Sequence, residues 1–545
     1  MSHERTQVVI VGGSLVGLCI ALFLRRYGVE VVLAERHPGT SIHPRTPGYN
    51  ARTMELFRAA GVEHAVRAAD PWQLTDSGLL WAESLTSPEY HWLHPPNARR
   101  AEEGFSDVGP CDDMVLSQDR LEPVLRENAE RLGADLRFGT ELTSFTRQAD
   151  GVTAILTDRA TGTRSTVLAD YLVAADGANS SVRTRLGIGR TGLGVLEDVV
   201  SIMVRADLGE ALRDKRFVIC QVDNPQFSGM VRVTGDMLSL YVPYRSDRGE
   251  SADQFTSERC VELARAAAGL PDLAVEPLGV QAWQASAAVA ERFSDGRVFL
   301  AGDAAHVMPP AGAYGANTGI QDAANLAWKL GYVLGGWADA ALLGTYETER
   351  RPVAELTVDQ ALATGREWFG ADVPPEVGEI ELIDEVTLKF GYRYPADGAP
   401  GPAHEPFEDP RSPTGRPGTR APHLWLDIDG KRLATADLWA SGFVLLTGDD
   451  GVAWVEAAGT IARRDGVPLT AYRVGGGDGV PSEAPPLRDR EGRWPSRFGT
   501  TGSGAVLIRP DGFIAWRASA ATGSHDVSAL DDALRHALGS TRATG

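Results

Sequence analysis

The stretch VVIVGGSLVGL, residues 8–18, decides the fold of this chain. An apolar run breaks into Gly12-Gly13-Ser14 and resumes as a helix-like segment, residues 15–27. A second apolar run, VEVVLA at 29–34, follows and ends in Glu35. Strand, glycine turn, helix and strand in that order make a β-α-β unit with a parallel sheet and a right-handed crossover. Such a turn aims free backbone N–H groups and a helix N-terminus at a diphosphate. Gly12 permits the tight turn and Gly17 the close packing of helix on strand. The acid at the end of the second strand suits two ribose hydroxyls. Ser14 stands where a glycine is usual and narrows the room for the ligand. The motif alone fits either FAD or a nicotinamide cofactor. No second fingerprint of this type occurs, so one tightly bound dinucleotide is expected.

Further along, YLVAADGANSSVRTRLG (171–187) brings Asp176 to a strand end and Arg183 to the start of a helix. An acid and a base around a turn suit ribose and phosphate contacts, although an Asp-Gly turn with a surface arginine explains the same residues. In RVFLAGDAAHVMPPAGAYGANTGIQDAANLAWKL (297–330), a buried-looking strand delivers Asp303 to its tip. A carboxylate there is costly unless donors satisfy it, and polyol hydroxyls do so. Pro309 and Pro310 stiffen the next loop. Gly312, Ala313, Gly315 and Ala316 leave its backbone open to a flat ring. From Asn317 onward a helix N-terminus is expected, placed to stabilise negative charge. His306 has the chemistry of a base, but a structural hydrogen bond explains its position better.

Composition sets the outer limits. A chain of 545 residues allows about three domains. A net charge of −20 argues against nucleic-acid binding. The N-terminus has no signal-peptide pattern, and no run of about 18 apolar residues suggests a membrane span. The four cysteines are scattered, without metal or dithiol spacing, as expected in a reducing cytoplasm. Residues 190–290 alternate short β-like runs with loops, interrupted by one helix near 255–268, and read as an antiparallel sheet. The Pro/Gly-rich segment 394–422 reads as an exposed connection.

Taken together, IVGGSLVGL, HPRTPGYNARTMELFR, LSQDRLE, VAADGANSSVR, the 297–330 stretch, PGTRAPHLWL and RPDGFIAWR give a chain that resembles the class A FAD-dependent aromatic hydroxylases. It is most similar to the bacterial hydroxylases of aromatic polyketides such as anthracyclines, angucyclines and tetracyclines. The resemblance implies an α/β fold. A Rossmann-like FAD-binding domain would comprise 1–75, 111–187 and 286–400. An inserted antiparallel-sheet substrate domain would comprise 76–110 and 188–285, and a thioredoxin-like domain 401–545. The last has no cysteine, since none follows Cys260, so dithiol chemistry is impossible there.

The same resemblance implies site roles. The turn residues Gly12, Ser14, Leu15, Val16 and Gly17, with Glu35 and Arg36, would hold the adenosine side of FAD. Arg45, Gln118 and Leu142 would contact the rest of its chain. Asp176 and Arg183 would serve FAD and transient NADPH or NADH. Asp303 would take the ribityl chain, and Pro310, Gly315 and Asn317 would border the ring. Phe227, Met230, Tyr241, Tyr244 and Trp283 are candidates for a flat substrate cavity, with Tyr314 at its mouth. His306 and Arg366 are the candidates for proton management. The implied reaction reduces FAD with NAD(P)H, forms a flavin C4a-hydroperoxide with O2, and hydroxylates a phenol. Baeyer–Villiger cleavage, or oxidative inactivation of an aromatic antibiotic, is the alternative outcome. A flavin-binding assembly protein without turnover is a third reading, which substrate-dependent NADPH oxidation would discard. A monomer or homodimer is expected, and a halogenase is not, because the Trp-x-Trp-x-Ile-Pro signature is missing.

Overall fold

The computed structural model describes residues 3–43, 45–46, 48–70, 78–95, 107–212, 215–369, 375–395, 406–439, 442–475, 486–521 and 526–540. The expected boundaries at 75/76 and 400/401 lie outside the described residues. Three sheets organise the rest.

The first sheet grows from His3–Val11. This strand pairs in parallel with Val31–Glu35 on one side and Arg164–Ala174 on the other. Asp135–Phe138 and Val298–Leu300 extend the sheet in parallel at its two sides. Val8, Val9 and Ile10 are fully buried, as strands covered on both faces must be. Helix Leu15–Arg26 follows the glycine turn as expected, and it packs against the long helix Tyr314–Leu334. That helix starts three residues before the expected Asn317. The polypeptide enters it through Ala313 at φ 56°, a left-handed conformation that a sequence pattern does not reveal.

The second sheet runs His306–Val307, Glu276–Ala290, Arg190–Arg205, Met237–Tyr244, Phe227–Thr234, Phe217–Asn224, Gly78–Ala82, Tyr90–His94. It is antiparallel except where Phe217–Asn224 meets Gly78–Ala82 in parallel, which joins the two expected halves of the substrate domain. Strand Glu276–Ala290 continues past the expected limit at 285, through β-bulges at 285/286 and 287/288, and accepts His306–Val307 at its end. The loop carrying Asp303 is thus stitched to both sheets. Helix Ser257–Ala268 covers one face and buries Cys260, Leu263 and Ala267 against Val200, Ile202, Val231 and Leu240.

In the third sheet, Phe443–Gly448 and Leu469–Gly475 are parallel around helix Val452–Asp465. A hairpin, Ala505–Ile508 with Ile514–Ala518, then leads to helix Asp526–Ala537. This β-α-β, β-β-α order is the thioredoxin-like arrangement. Its core reaches Trp328 and Tyr332 on the long helix of the first domain.

Within the described part of the 394–422 segment, Pro406, Asp409, Ser412 and Thr414 are exposed as expected, but residues 418–422 are buried. Gly418 and Ala421 donate to Ile514 and Gly512, and Arg420, 7% exposed, pairs with buried Glu55. Gly415 serves close packing, since a Cβ there would lie 2.3 Å from the Phe498 carbonyl oxygen. Residues 396–405 lie outside the described residues.

Candidate active site

A cavity of about 960 Å³ opens at the carboxyl ends of the parallel strands. Gly12, with φ 101°, turns the chain at its floor, where a Cβ would lie 2.3 Å from the Ala175 carbonyl oxygen. Gly17 is equally constrained: a Cβ there would meet the Gly12 carbonyl oxygen at 1.9 Å. Glu35 is held at the cavity wall by the Gly13 and His37 amides, each donating to its carboxylate at 2.7 Å. Beside it, Arg36 is exposed and lines the same wall.

Ser14 has partners that compensate for the missing glycine. Its hydroxyl donates to Glu122 at 2.6 Å and accepts from the Gln118 amide at 2.8 Å. Gln118 also donates to Glu122, and the Ser41 amide completes the carboxylate's shell at 2.6 Å. Glu122 is fully buried. Sequence reasoning passed over it; the signal available was an acid one helical turn after Gln118, on the apolar side of Gln118–Arg131.

Leu15, Val16, Arg45, Leu142, Asp176, Asp303, Pro310 and Gly315 all line the cavity. Asp176 accepts from the Val182 amide at 3.2 Å through one oxygen, while its other oxygen is buried without a protein partner. The Asp303 carboxylate is accessible from the cavity and bonds to no protein group among the described residues. Desolvation by the surrounding protein raises its pKa, against the pull of His306, Arg45 and Arg190. Two acids left open to donors, a glycine turn and a helix start without a side-chain cap fit a dinucleotide with a polyol chain.

Three expected contacts act behind the wall instead. Gly17 is spent on packing. Arg183 donates to the carbonyls of Ala304 at 3.0 Å and Ala178 at 3.3 Å, and so braces the Asp303 loop. Asn317 accepts from the Asn50 amide and the Thr53 hydroxyl, which ties two helix starts together. His306 is fully buried on Asp322, and Arg366 is exposed, donating to the Gly378 carbonyl; neither lines the cavity.

Strand alternation divides the substrate candidates. Phe227 shares the face of Val231 and is 2% exposed in the core under helix Ser257–Ala268; Tyr244 packs against that same core. These two are structural, contrary to expectation, because their register points them at the helix. Met230 and Tyr241 pair directly and lie on the opposite face, in one row with Gln221, Ser201 and Gln281. Gln281 is itself part of the cavity wall. Trp283 shares the face and donates to Ser201 at 2.8 Å. Tyr314 borders a separate small cavity with Asn50 and Gln321.

Residues 5–361 match the family model described as FAD binding domain, and residues 414–541 the one described as aromatic-ring hydroxylase, C-terminal. The chain belongs to the FAD-dependent aromatic-ring hydroxylases. It is 44% identical to a tetracenomycin A2 monooxygenase-dioxygenase of Streptomyces glaucescens, covering 95% of this chain and 94% of the relative. It is 39% identical to an aklavinone 12-hydroxylase of Streptomyces purpurascens, over 99% and 100% of the two chains. Its fold superposes on aklavinone-11 hydroxylase in complex with FAD and aklavinone, with a TM-score of 0.88, 38% identity and coverage of 99% and 100%. This hydroxylase is a flavin monooxygenase, and FAD is its cofactor. No helix among its described residues is long and apolar enough to cross a membrane.

Proposed function

We propose that this chain takes electrons from NADPH or NADH and uses O2 to hydroxylate a phenolic, polycyclic polyketide. One observation carries the substrate class. The row Gln281, Ser201, Tyr241, Met230, Gln221 crosses successive strands and starts at the cofactor cavity. Neighbouring strands are about 4.8 Å apart, so the row is long enough for several fused rings. Its middle, Tyr241 and Met230, offers flat and soft apolar surface, and Gln281, Ser201 and Gln221 on either side carry amide and hydroxyl handles, as a hydroxylated planar ring system requires.

Bound FAD supplies the reduction and activation of O2. The chain's own residues bind, orient and enclose. Glu35 and Asp303 would accept hydrogen bonds from the hydroxyls of the ribose and the polyol chain. The first amides of helix Tyr314–Leu334, where Gly315 and Ala316 line the cavity, would face the ring and favour negative charge on it. Met308, Pro309 and Pro310 give an apolar wall that limits access of water to the reacting centre. Ring orientation is the main service of the sheet, because oxygen transfer depends on which carbon lies nearest the flavin.

The test is stopped-flow absorbance of the purified protein with NADPH, with and without a panel of fused-ring phenols, followed by product NMR. Reduction stimulated by one compound, and a product carrying one added hydroxyl oxygen, is the expected result. A ring-cleaved or lactone product would replace hydroxylation by a Baeyer–Villiger outcome. Absence of reduction with every fused-ring phenol, alongside turnover of a single-ring phenol, would overturn the polycyclic reading.

A further inference from the structure

Among the described residues, none that lines the cofactor cavity comes from the C-terminal sheet, and that sheet has no sulfur for redox work. Its contacts nevertheless lead to Asp303. The Gly302 amide, next to Asp303 in the chain, donates to Asp322 at 3.1 Å. The same Asp322 oxygen meets His306 Nε2 at 2.6 Å, and its other oxygen accepts from Arg350 Nε at 2.8 Å. Asp322, His306 and Arg350 are all fully buried. His306 Nε2 faces a carboxylate, which can only accept, so this nitrogen donates, while Nδ1 has no partner among the described residues. His306 is therefore a donor that holds the loop, and Arg350 is the countercharge.

Arg350 extends the connection. Its Nη2 donates to the Thr318 carbonyl, and its Nη1 donates to the Tyr394 hydroxyl, both at 3.2 Å. Tyr394 is fixed from the C-terminal side. Its ring stacks on Phe513 with centroids 4.0 Å apart, Arg509 lies over it at 5.2 Å, and its amide donates to the Gly418 carbonyl at 2.9 Å. Phe513 sits in the hairpin between Ala505–Ile508 and Ile514–Ala518. A continuous set of buried contacts therefore joins the third sheet to the backbone that presents the cofactor-facing carboxylate.

We propose that the C-terminal domain serves flavin retention, by bracing the Asp303 loop through Phe513, Tyr394, Arg350 and Asp322. The proposal rests on reading Asp303 as the carboxylate that takes the flavin's polyol chain. Asp322 is a positioning residue: it touches the loop backbone and not the ligand. A loop held in place before FAD arrives is not ordered at the expense of binding, and loosening any link returns that cost to the affinity.

Tyr394→Phe deletes the hydroxyl and keeps the stack on Phe513. The dissociation constant of FAD would be measured by flavin fluorescence on apoprotein of the full chain. Loss of one hydrogen bond to a charged group predicts weakening by about 3–10-fold, diluted by distance from the ligand. At saturating FAD, kcat should stay within about twofold of wild type, because no reacting atom is touched. Arg58→Gln is the control. It cuts the Arg58–Asp437 bridge across the same domain boundary, off the connecting residues, and should leave FAD affinity unchanged. Wild-type affinity in Tyr394→Phe, or equal weakening in Arg58→Gln, would overturn the proposal. Asp303→Asn is measured alongside. If it binds FAD as wild type does, the polyol assignment fails and the proposal falls with it; if it weakens FAD while Tyr394→Phe does not, the proposal alone fails.

Discussion

Asp303 and Ser14 show how single residues are placed for work and for support. Asp303 keeps its carboxylate open to the cavity at the tip of Val298–Leu300. Asp303→Asn removes the charged acceptor and should weaken FAD by about 100-fold, two charge-assisted hydrogen bonds being worth on the order of 3 kcal/mol; equilibrium dialysis of the apoprotein checks it. Ser14 looks like a defect in a glycine turn, yet its hydroxyl is a donor to buried Glu122. Ser14→Gly, which restores the usual residue, should therefore cost stability, about 1–2 kcal/mol, rather than improve the site. A higher melting temperature in that variant would refute the supporting role.

At the scale of elements, the strands of the second sheet are two-sided, and the faces do different jobs. Phe227 belongs to the face under helix Ser257–Ala268, and Met230 to the face that leads to the cavity. Phe227→Ala should lose about 3–5 kcal/mol of stability by leaving a hole in the core. Met230→Ala should leave the melting temperature nearly unchanged and raise KM for the aromatic substrate. Thermal melts and steady-state kinetics on the pair separate the roles; a large loss of stability in Met230→Ala would place it in the core after all. At the turn, Gly17→Ala cannot be accommodated without moving the backbone, because its Cβ would sit 1.9 Å from a carbonyl oxygen.

Across the whole molecule, the C-terminal sheet is docked by buried charge. Arg509 bridges Glu349 and Asp511, and Lys329 donates to Glu349 at 2.7 Å. Burial would raise the Glu349 pKa, but Arg509 and Lys329 outweigh it and hold the carboxyl down at about 2. A depressed carboxylate contributes its stability above its ordinary value of 4.5 and loses it as pH falls toward about 2. Stability should thus decline on acidification through that window. Glu349→Gln should flatten this part of the pH profile. It should also lower stability at neutral pH by about 3–5 kcal/mol, since buried Lys329 loses the carboxylate it donates to and Arg509 is left with Asp511 alone. Melting curves from pH 7 downward test both; parallel profiles for variant and wild type would show that Glu349 is not the titrating group.

Local chemistry carried the sequence reading a long way. The β-α-β unit, the glycine turn, Glu35 and the strand ending at Asp303 were legible because each depends on residues adjacent in the chain: apolar runs, punctuation, and an acid at a strand tip. The lack of cysteine beyond Cys260 likewise settled by itself what the last domain cannot do. What distant segments do to one another was not legible. Phe227 and Met230 are equally apolar, and only strand register decides which faces the cavity. The segment around Arg420 reads as a connection until Glu55, far away in the chain, is brought against it. Glu122, Asp322 and Arg350 are ordinary charged residues of helices until tertiary packing buries them beside the site. The sequence determined the cofactor turn and the class of chemistry, because those are short-range patterns. Only the tertiary structure decided which side chains face the cavity and which brace it, because burial and partnership are properties of the packed molecule.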